Sequence, residues 1–346
     1  MSHSSVPKEE KMHRNVKGLV SHRFVVALLL GVLTAAGAAF TTPARAEKVT
    51  MAWVPAIDAL PYMVALEEKA FEKQGIEVVD QRLNSAPGLV DAFLADRAEV
   101  GPYGTAPGIA MVAESQHPGT LKIFGLSGGD ADTPYVNSTL LVKKGSPIHS
   151  LADLKGHKLG HNPGIQWKTN VRYILNALNI KESDVTLVEL PFPLQVPALM
   201  AGTVDATITI DPFAATALAT GDVEAAVVNV GAKYVANPWF GGCAVMTTKF
   251  VKEHPETARK IMLVLRDITK RIQGDFDRYK PLLVKYAGIP ESALPYVRPM
   301  LFRNDEQIDA RDIGAMQKVF DIYNKEGALG TKIDFGSKIL RVSDLK

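Results

Sequence analysis

Residues 153–213 read DLKGHKLGHNPGIQWKTNVRYILNALNIKESDVTLVELPFPLQVPALMAGTVDATITIDPF. Short apolar runs alternate here with loops that contain Gly or Pro and with segments of helical periodicity. In parallel βαβ units such loops and helix N-termini meet along one edge of the sheet, where small ligands are held. Because no catalytic motif interrupts the pattern, the stretch predicts ligand binding rather than turnover.

The same alternation of strands and helices continues on both sides of this stretch. It predicts two α/β lobes with parallel strands and right-handed crossovers. In the first half, strands are predicted at 49–54, 76–83, 100–103 and 121–126, and helices at 61–74, 87–95 and 107–114. In the second half, strands are predicted at 158–161, 185–189 and 205–210, and helices at 167–178, 194–201 and 212–219.

Two short apolar runs, at 138–143 and 242–247, do not lead directly into a helix. We expect them to be the two hinge strands by which the chain crosses between lobes. Everything after Pro255 is expected to be helical and to pack on the first lobe. The predicted division is 47–139 for the first part of lobe 1, 140–243 for lobe 2 and 244–346 for the return to lobe 1.

The N-terminus predicts a secretory signal at 1–46. Basic residues precede the apolar run 24–40, which is followed by Ala44-Arg45-Ala46, the order of a signal peptide with a small-x-small cleavage site. A membrane anchor is the alternative, but 17 residues interrupted by glycines fall short of the roughly 20 that a spanning helix needs. We therefore expect an exported protein that is cleaved near Ala46 and lies soluble in the periplasm.

Composition and motifs exclude several classes of function. Without residues 1–46 the chain loses six Lys or Arg and two Asp or Glu, so its formal charge changes from +2 to −2. No basic run supports a nucleic-acid partner. Cys243 is the only cysteine, which leaves no disulfide and no thiolate metal cluster. The chain contains no H-E-x-x-H, G-x-S-x-G or Walker motif, so neither an enzyme nor a metal or other cofactor is expected.

Several segments carry a family resemblance that covers about residues 47–335. LADLKGHKLG at 151–160, LNALNI at 175–180, DVTLVEL at 184–190, ALMAGTVDATITIDPF at 198–213 and KFVKEHPE at 249–256 resemble the aliphatic sulfonate, taurine and nitrate group of ABC-transporter substrate-binding proteins. PYMVALEEKAFEKQGIEV at 61–78 and DAFLADRAEVGPYGTAP at 91–107 resemble the opening of the same family. The superfamily also includes proteins that bind thiamine-pyrimidine precursors.

This resemblance implies a type II periplasmic-binding-protein fold, in which two doubly wound lobes close on a ligand at a two-strand hinge. It implies capture of a small organic oxyanion, a sulfonate or related carboxylate, for delivery to the permease and ATPase subunits of an ABC importer. The protein is expected to be a monomer. Two other ligands stay open as alternatives, nitrate and a pyrimidine precursor of thiamine. A ligand sensor that takes no part in transport stays open as an alternative role. The lone Cys243 argues against an enzyme of the pyrimidine-synthase type.

The loop at 162–169 is the predicted anion cradle. Gly164 lets the backbone approach a ligand closely, and Gln166 and Lys168 begin a helix whose positive end faces the cleft; Lys168 facing solvent is the alternative. The family often has small hydroxyl residues where this chain has Trp167, which favours an oxyanion with an organic body. Three further aromatic residues are candidates for the same wall or for ordinary core packing: Tyr103, Trp239 and Phe240.

Loops of the first lobe supply the remaining candidates. Ile57 and Asp58 follow the first strand, and Gly104 and Thr105 follow the third. Asp58 would orient an amine of a zwitterion or cap the next helix. Asp211, before Pro212, would accept from a ligand N–H or serve as an N-cap.

Overall fold

The computed structural model describes residues 46–345, and the predicted signal at 1–46 lies outside them except for Ala46. These residues form two sheets with helices on their faces. We call the units around sheet 1 and sheet 2 lobe 1 and lobe 2. The strands are β1 Glu47–Trp53, β2 Ile76–Arg82, β3 Val100–Thr105, β4 Leu121–Gly129, β5 Ser138–Lys143, β6 Lys158–His161, β7 Thr186–Glu189, β8 Ala206–Ile210, β9 Val223–Val228, β10 Trp239–Thr247 and β11 Leu301–Asn304.

Except for the helix Val230–Tyr234, which follows the unpredicted strand β9, the helices occupy the connections that the sequence predicted or the region after β10. They are α1 Leu60–Glu67, α2 Ala86–Leu94, α3 Pro107–Gln116, α4 Ile165–Ala177, α5 Phe192–Ala201, α6 Phe213–Leu218, α7 Val230–Tyr234, α8 Thr248–Glu253, α9 Pro255–Gly274, α10 Phe276–Tyr279, α11 Leu282–Ala287 and α12 Ala310–Lys325. Short 3₁₀ helices include Ile57–Ala59 and Glu291–Tyr296. Among the described residues, no helix is both long enough and apolar enough to span a membrane.

Both sheets combine a parallel part with antiparallel strands. Sheet 1 has the order β11-β4-β10-β3-β1-β2, and sheet 2 has the order β7-β6-β8-β5-β9. The parallel pairs are β1 with β2 and β3, and β6 with β7 and β8. Carboxyl ends of parallel strands meet at one edge, so each lobe presents its loops and helix starts along a single edge.

Apolar side chains fill the space on both faces of the sheets. On β5 the neighbouring residues Leu140 and Leu141 are both fully buried, but they belong to different hydrophobic clusters. Successive side chains of a strand point to opposite faces, so sheet 2 is covered on both sides. A run of consecutive apolar residues is the pattern expected for such a strand.

The predicted hinge strands lie inside the sheets. β5 pairs with β8 and β9 in sheet 2, and β10 pairs with β3 and β4 in sheet 1. The chain does cross twice between the lobes, but it crosses in the flanking segments 130–137 and 229–238. Because β10 is one continuous strand of sheet 1, the second lobe boundary lies nearer to residue 238 than to the predicted 243.

Side-chain amides brace the two crossing segments against each other. Asn229 donates from Nδ2 to the carbonyl oxygens of Asp130 and Tyr135 at 3.2 and 2.7 Å, and its Oδ1 accepts from the backbone N–H of Asn137 at 3.0 Å. Asn229 has the left-handed φ of 62°, which asparagine tolerates better than most residues.

The expectation that only helices follow Pro255 was wrong at β11. Leu301–Asn304 pairs antiparallel with β4 and forms the edge of sheet 1. Leu301 and Phe302 are consecutive buried residues, so the segment shows no alternation that would have indicated a strand.

We predict that Gly128→Ala destabilises lobe 1. A Cβ atom at Gly128 would lie 2.0 Å from the carbonyl oxygen of Trp239 and 2.8 Å from Cα of Phe240, and backbone atoms cannot move aside as a side chain can. We expect urea denaturation to show a loss of about 1–3 kcal/mol in the free energy of unfolding.

Gly314→Ala is the matched control for this substitution. Gly314 lies within α12, and no atom lies within 4 Å of the added Cβ, so helix propensity predicts a gain of roughly 0.5–1 kcal/mol. Equal stability of Gly128→Ala and the wild type would contradict the close approach of β4 and β10.

Candidate functional site

A cavity lies between the two lobes, at the carboxyl edges of both sheets. The space between its walls, with the open solvent at its mouth included, is about 640 Å³. Four helices begin at or beside it: α2 and α3 from lobe 1, and α4 and α5 from lobe 2. The N-terminus of a helix carries partial positive charge and unpaired N–H groups, so the cavity suits a ligand with oxygen acceptors.

The cavity wall is polar on some sides and apolar on others. Its one ionisable lining residue is Asp58, and among the described residues no Lys, Arg or His lines it. No group of three or more His, Cys, Asp or Glu in residues 46–345 is placed to hold a metal ion. The lining residues are Val54, Ala56, Asp58, Asn84, Ser85, Ala86, Gly104, Ala106, Ile109, Asn137, Asn162, Pro163, Gln166, Trp167, Phe192, Ile210 and Gly241.

Asp58 is a buried carboxyl on the lobe 1 side of the cavity. It is 5% exposed, and Ser127 donates a hydrogen bond to its Oδ1 at 2.7 Å. Burial raises the pKa of Asp58 to about 6, although the Ser127 hydrogen bond pulls it down. One of the two predictions for Asp58 was that it caps α1. It does not, because its carboxyl accepts from Ser127 on β4 instead.

Gln166 joins the lobes beside the cavity. It lies in the first turn of α4 in lobe 2, and its Oε1 accepts from the backbone N–H of Gly108 at 2.8 Å, at the start of α3. Its Nε2 donates to the carbonyl oxygen of Gly241 on β10 at 3.1 Å. Tyr323 of α12 donates to the backbone carbonyl of Gln166 at 3.2 Å. One residue of lobe 2 therefore contacts three elements that are separate in the sequence.

An aromatic pair forms part of the cavity wall and its support. Trp167 lines the cavity, and its ring lies 5.9 Å from that of Trp239. Trp239 is buried behind it and donates from Nε1 to Oδ1 of Asn137 at 3.2 Å. An indole N–H can only donate, so this bond fixes the orientation of the Asn137 amide.

The predicted anion cradle forms the start of α4. Gly164 is the N-cap, with φ of 102°, a conformation that glycine adopts readily and other residues do not. No hydrogen bond to the backbone N–H groups of residues 165–167 occurs among the described residues. These first-turn groups cannot pair within the helix and remain available to an acceptor.

Of the predicted site residues, the structure brings Asp58, Gly104, Gln166 and Trp167 to the cavity wall. Gly164 stands next to the lining residues as the cap of α4. That any of them contacts a ligand stays a prediction.

Three of the predicted aromatic residues belong to the core instead. Tyr103 packs edge-on against Phe302 and donates to the carbonyl of Arg303. Trp239 supports the cavity from behind, and Phe240 is fully buried in the cluster that joins the lobes. For these positions the core-packing alternative was right.

Four other predicted residues do not line the cavity. Ile57 is fully buried and donates its N–H to the carbonyl of Asp211 at 3.2 Å. Thr105 is buried within β3, and Lys168 lies on α4 outside the lining set. Asp211 acts as a cap, because its Oδ1 accepts from the N–H of Ala215 in α6.

Asp211 also ties lobe 2 to the C-terminal part of lobe 1. Its Oδ2 accepts from the backbone N–H of Arg298 at 3.1 Å, and the Arg298 guanidinium donates to Oγ1 of Thr139. Burial raises the pKa of Asp211, and the charge of Arg298 opposes that rise.

Sequence reasoning missed several lining residues. Asn84 and Ser85 follow β2 in the same way as the predicted loops follow β1 and β3, so the strand pattern held a signal for them. Asn137 comes from a crossing segment and Phe192 from the start of α5. No local motif marks either of these two residues.

We predict that Asp58→Asn stabilises the protein at neutral pH but not in acid. The folded protein holds the Asp58 proton more tightly than the unfolded chain, since the pKa rises from 3.8 to about 6 on folding. Stability of the wild type relative to the variant therefore falls as pH increases through this window, by roughly 3 kcal/mol in total.

Urea denaturation of both proteins across this pH range measures the difference in their free energies of unfolding. The contributions of the other titrating groups are the same in both proteins and cancel in this difference. Asparagine can still accept from Ser127, so the fold has no other reason to change. A difference in stability that does not vary with pH would contradict the burial of an ionisable carboxyl at this position.

We predict that Gln166→Ala opens the cleft. The substitution removes two hydrogen bonds between the lobes, which weakens closure by about 1–3 kcal/mol. Small-angle X-ray scattering should show a larger radius of gyration than for the wild type. Gln116→Ala, at the exposed end of α3, is the matched control and should leave the radius of gyration unchanged. An unchanged radius for Gln166→Ala as well would contradict the role of Gln166 in holding the lobes together.

Comparison with known proteins agrees with this architecture. The chain is similar to the aliphatic sulfonates-binding protein of Bacillus subtilis, with 25% identity over 79% of this chain and 80% of that protein. Its fold matches the alkanesulfonate-binding protein of Xanthomonas axonopodis bound to MOPS, with a TM-score of 0.70 and 17% identity over 86% of this chain and 99% of the other.

An enzyme shares the fold as well. The desulfurization enzyme DSZB matches with a TM-score of 0.62 and 16% identity over 85% of this chain and 96% of the other. These structural matches establish the two-lobe fold that the sequence predicted. The model of the NMT1-like family matches residues 42–281, and the chain belongs to that family.

Proposed function

We propose that this protein is the solute-binding component of an ABC importer, which captures a small organic oxyanion by lobe closure and delivers it to a permease. One observation carries the proposal: a cavity lies between two lobes, and helices from both lobes begin at its wall. A ligand that contacts both lobes stabilises the closed form over the open one. The permease would recognise that closed form.

The start of α4 is the proposed site for the acidic group. Its first-turn N–H groups are unpaired, and Gly164 allows a close approach. Helix starts hold anions without a protein charge, which agrees with the lack of cationic residues in the described wall. Trp167 and Phe192 offer apolar surface for an organic body, which favours a sulfonate or carboxylate over nitrate.

The relatives support the transport role and its partners. Similar proteins from Bacillus subtilis and Escherichia coli are named aliphatic sulfonates-binding proteins, and one from Brachyspira hyodysenteriae is named an ABC transporter periplasmic binding protein. We propose on this basis export to the periplasm, and permease and ATPase subunits as partners. Cleavage near Ala46 and a monomeric state are proposed from the sequence alone. A pyrimidine precursor of thiamine and a sensor role remain the alternatives.

The site gives little support to a cysteine-dependent enzyme. Cys243 is fully buried on β10, and its thiol donates to the carbonyl of Thr105 at 3.2 Å. Burial raises the pKa of the Cys243 thiol well above its usual range, and the residue does not line the cavity. A nucleophilic thiol needs the opposite surroundings.

We predict that the purified protein binds at least one member of a panel of alkyl and aryl sulfonates, carboxylates, nitrate and pyrimidines. Binding should raise the thermal midpoint and change tryptophan fluorescence, because Trp167 lies in the wall. No response from any member would contradict the proposed function.

Gly164→Ala tests the role of the α4 start with that ligand. The left-handed φ of 102° strains any residue with a Cβ, so the N–H groups should shift and affinity should fall about tenfold or more. Gly288→Ala is the matched control, with a φ of 72° and no neighbouring atom within 4 Å. It should lose similar stability and keep the wild-type affinity, whereas equal affinities of both variants would exclude the α4 start as the anion site.

A further inference from the structure

We propose that the cavity selects a ligand that carries a protonated amine or another N–H donor in addition to its acidic group, and that Asp58 accepts a hydrogen bond from that nitrogen. The inference rests on the proposed function and narrows its ligand class. Asp58 would then be the residue that distinguishes a zwitterion from a simple anion.

The charge of the wall is the first reason. Asp58 contributes a carboxylate, and no Lys, Arg or His of the described residues lines the cavity to balance it. At 5% exposure, the charge of Asp58 is poorly screened by solvent. An oxyanion that enters without a cation would therefore be repelled by the negative charge of Asp58. A positive group on the ligand removes that conflict, since it pairs with Asp58 while the acidic group pairs with helix N–H groups.

The hydrogen bonding of Asp58 is the second reason. Ser127 donates to Oδ1, and among the described residues no other side chain donates to this carboxyl. Gly242 lies directly against it, because a Cβ at that position would be 2.2 Å from Oδ1. The carboxyl is thus held in place from β4 and β10, and Oδ2 is left without a side-chain donor. Because Asp58 lines the cavity, its carboxylate can accept a further hydrogen bond from a ligand N–H.

Other parts of the wall have the opposite polarity. Oδ1 of Asn137 is occupied by the indole N–H of Trp239, so Nδ2 of Asn137 is the free half of that amide and can only donate. The first-turn N–H groups of α4 also donate. The wall therefore offers an acceptor at Asp58 in lobe 1 and donors at α4 in lobe 2, which matches a ligand with a nitrogen at one end and oxygens at the other.

Isothermal titration of matched ligand pairs tests the inference. Ethanesulfonate and taurine differ only in an amine, as do propionate and β-alanine, and the wider panel includes nitrogen-free aryl sulfonates and aminopyrimidines. The wild type should bind the nitrogen-bearing member of a pair at least about tenfold more tightly. Asp58→Asn should remove that preference and bind the nitrogen-free member more tightly than the wild type does.

Two controls separate charge selection from other effects. Asp96→Asn removes one exposed negative charge, paired with Lys249 on the surface of lobe 1, and should keep the wild-type preference. Urea denaturation of Asp58→Asn should show a folded protein. Persistence of the amine preference in folded Asp58→Asn would overturn the assignment of Asp58.

Other outcomes also decide the matter. Equal or tighter binding of a nitrogen-free ligand by the wild type would overturn the inference and leave the proposed function in place. Uptake of one proton with such a ligand, measured in buffers of different ionisation enthalpy, would show that Asp58 acts as a neutral acid that donates to the anion, and would also overturn the inference. If no compound of the whole panel binds, the proposed function fails and the inference fails with it.

Discussion

The contacts of Gln166 are the constraint on which the arrangement of the lobes depends. Its carboxamide is almost fully buried, and both ends are satisfied by backbone groups of lobe 1, the N–H of Gly108 and the carbonyl of Gly241. A buried amide that lost either partner would be left unsatisfied, which is costly. The bond to Gly108 also places the start of α3 beside the start of α4. Through these two bonds Gln166 holds the start of α4, where the candidate donors lie, against α3 and β10.

The crossing segments supply the second part of the framework. Asn229 and Asn237 hold the two connections together through side-chain bonds to residues of the segment 130–137. Asn137 lies at the end of that segment and reaches the cavity, where Trp239 orients it. The connection between the lobes therefore contributes directly to the wall, so that relative movement of the lobes would change the position of a cavity-lining amide.

The sequence predicted the two-lobe plan because periodicity and loop composition are local properties. It identified Gln166 and Trp167 as cavity residues for the same reason, since they begin a helix after a strand. It left Tyr103 and Phe240 open between the cavity wall and the core, because strand alternation does not say which face of a strand meets the core. Residues of the crossing segments, such as Asn137, reach the site only through tertiary structure. The strand β11 was missed because two consecutive buried residues at a sheet edge carry no alternation.

The pair Gly241-Gly242 shows how closely fold and site are linked. A Cβ at Gly241 would lie 2.6 Å from Oδ1 of Asn137, and a Cβ at Gly242 would lie 2.2 Å from Oδ1 of Asp58. The carbonyl of Gly241 is at the same time the acceptor for Gln166. Because these two positions of β10 have no side chains, there is room for the amide of Asn137 and the carboxyl of Asp58. The backbone carbonyl of Gly241 also stays accessible to Gln166. A side chain at either position would displace a cavity residue, even where sheet 1 tolerated the change.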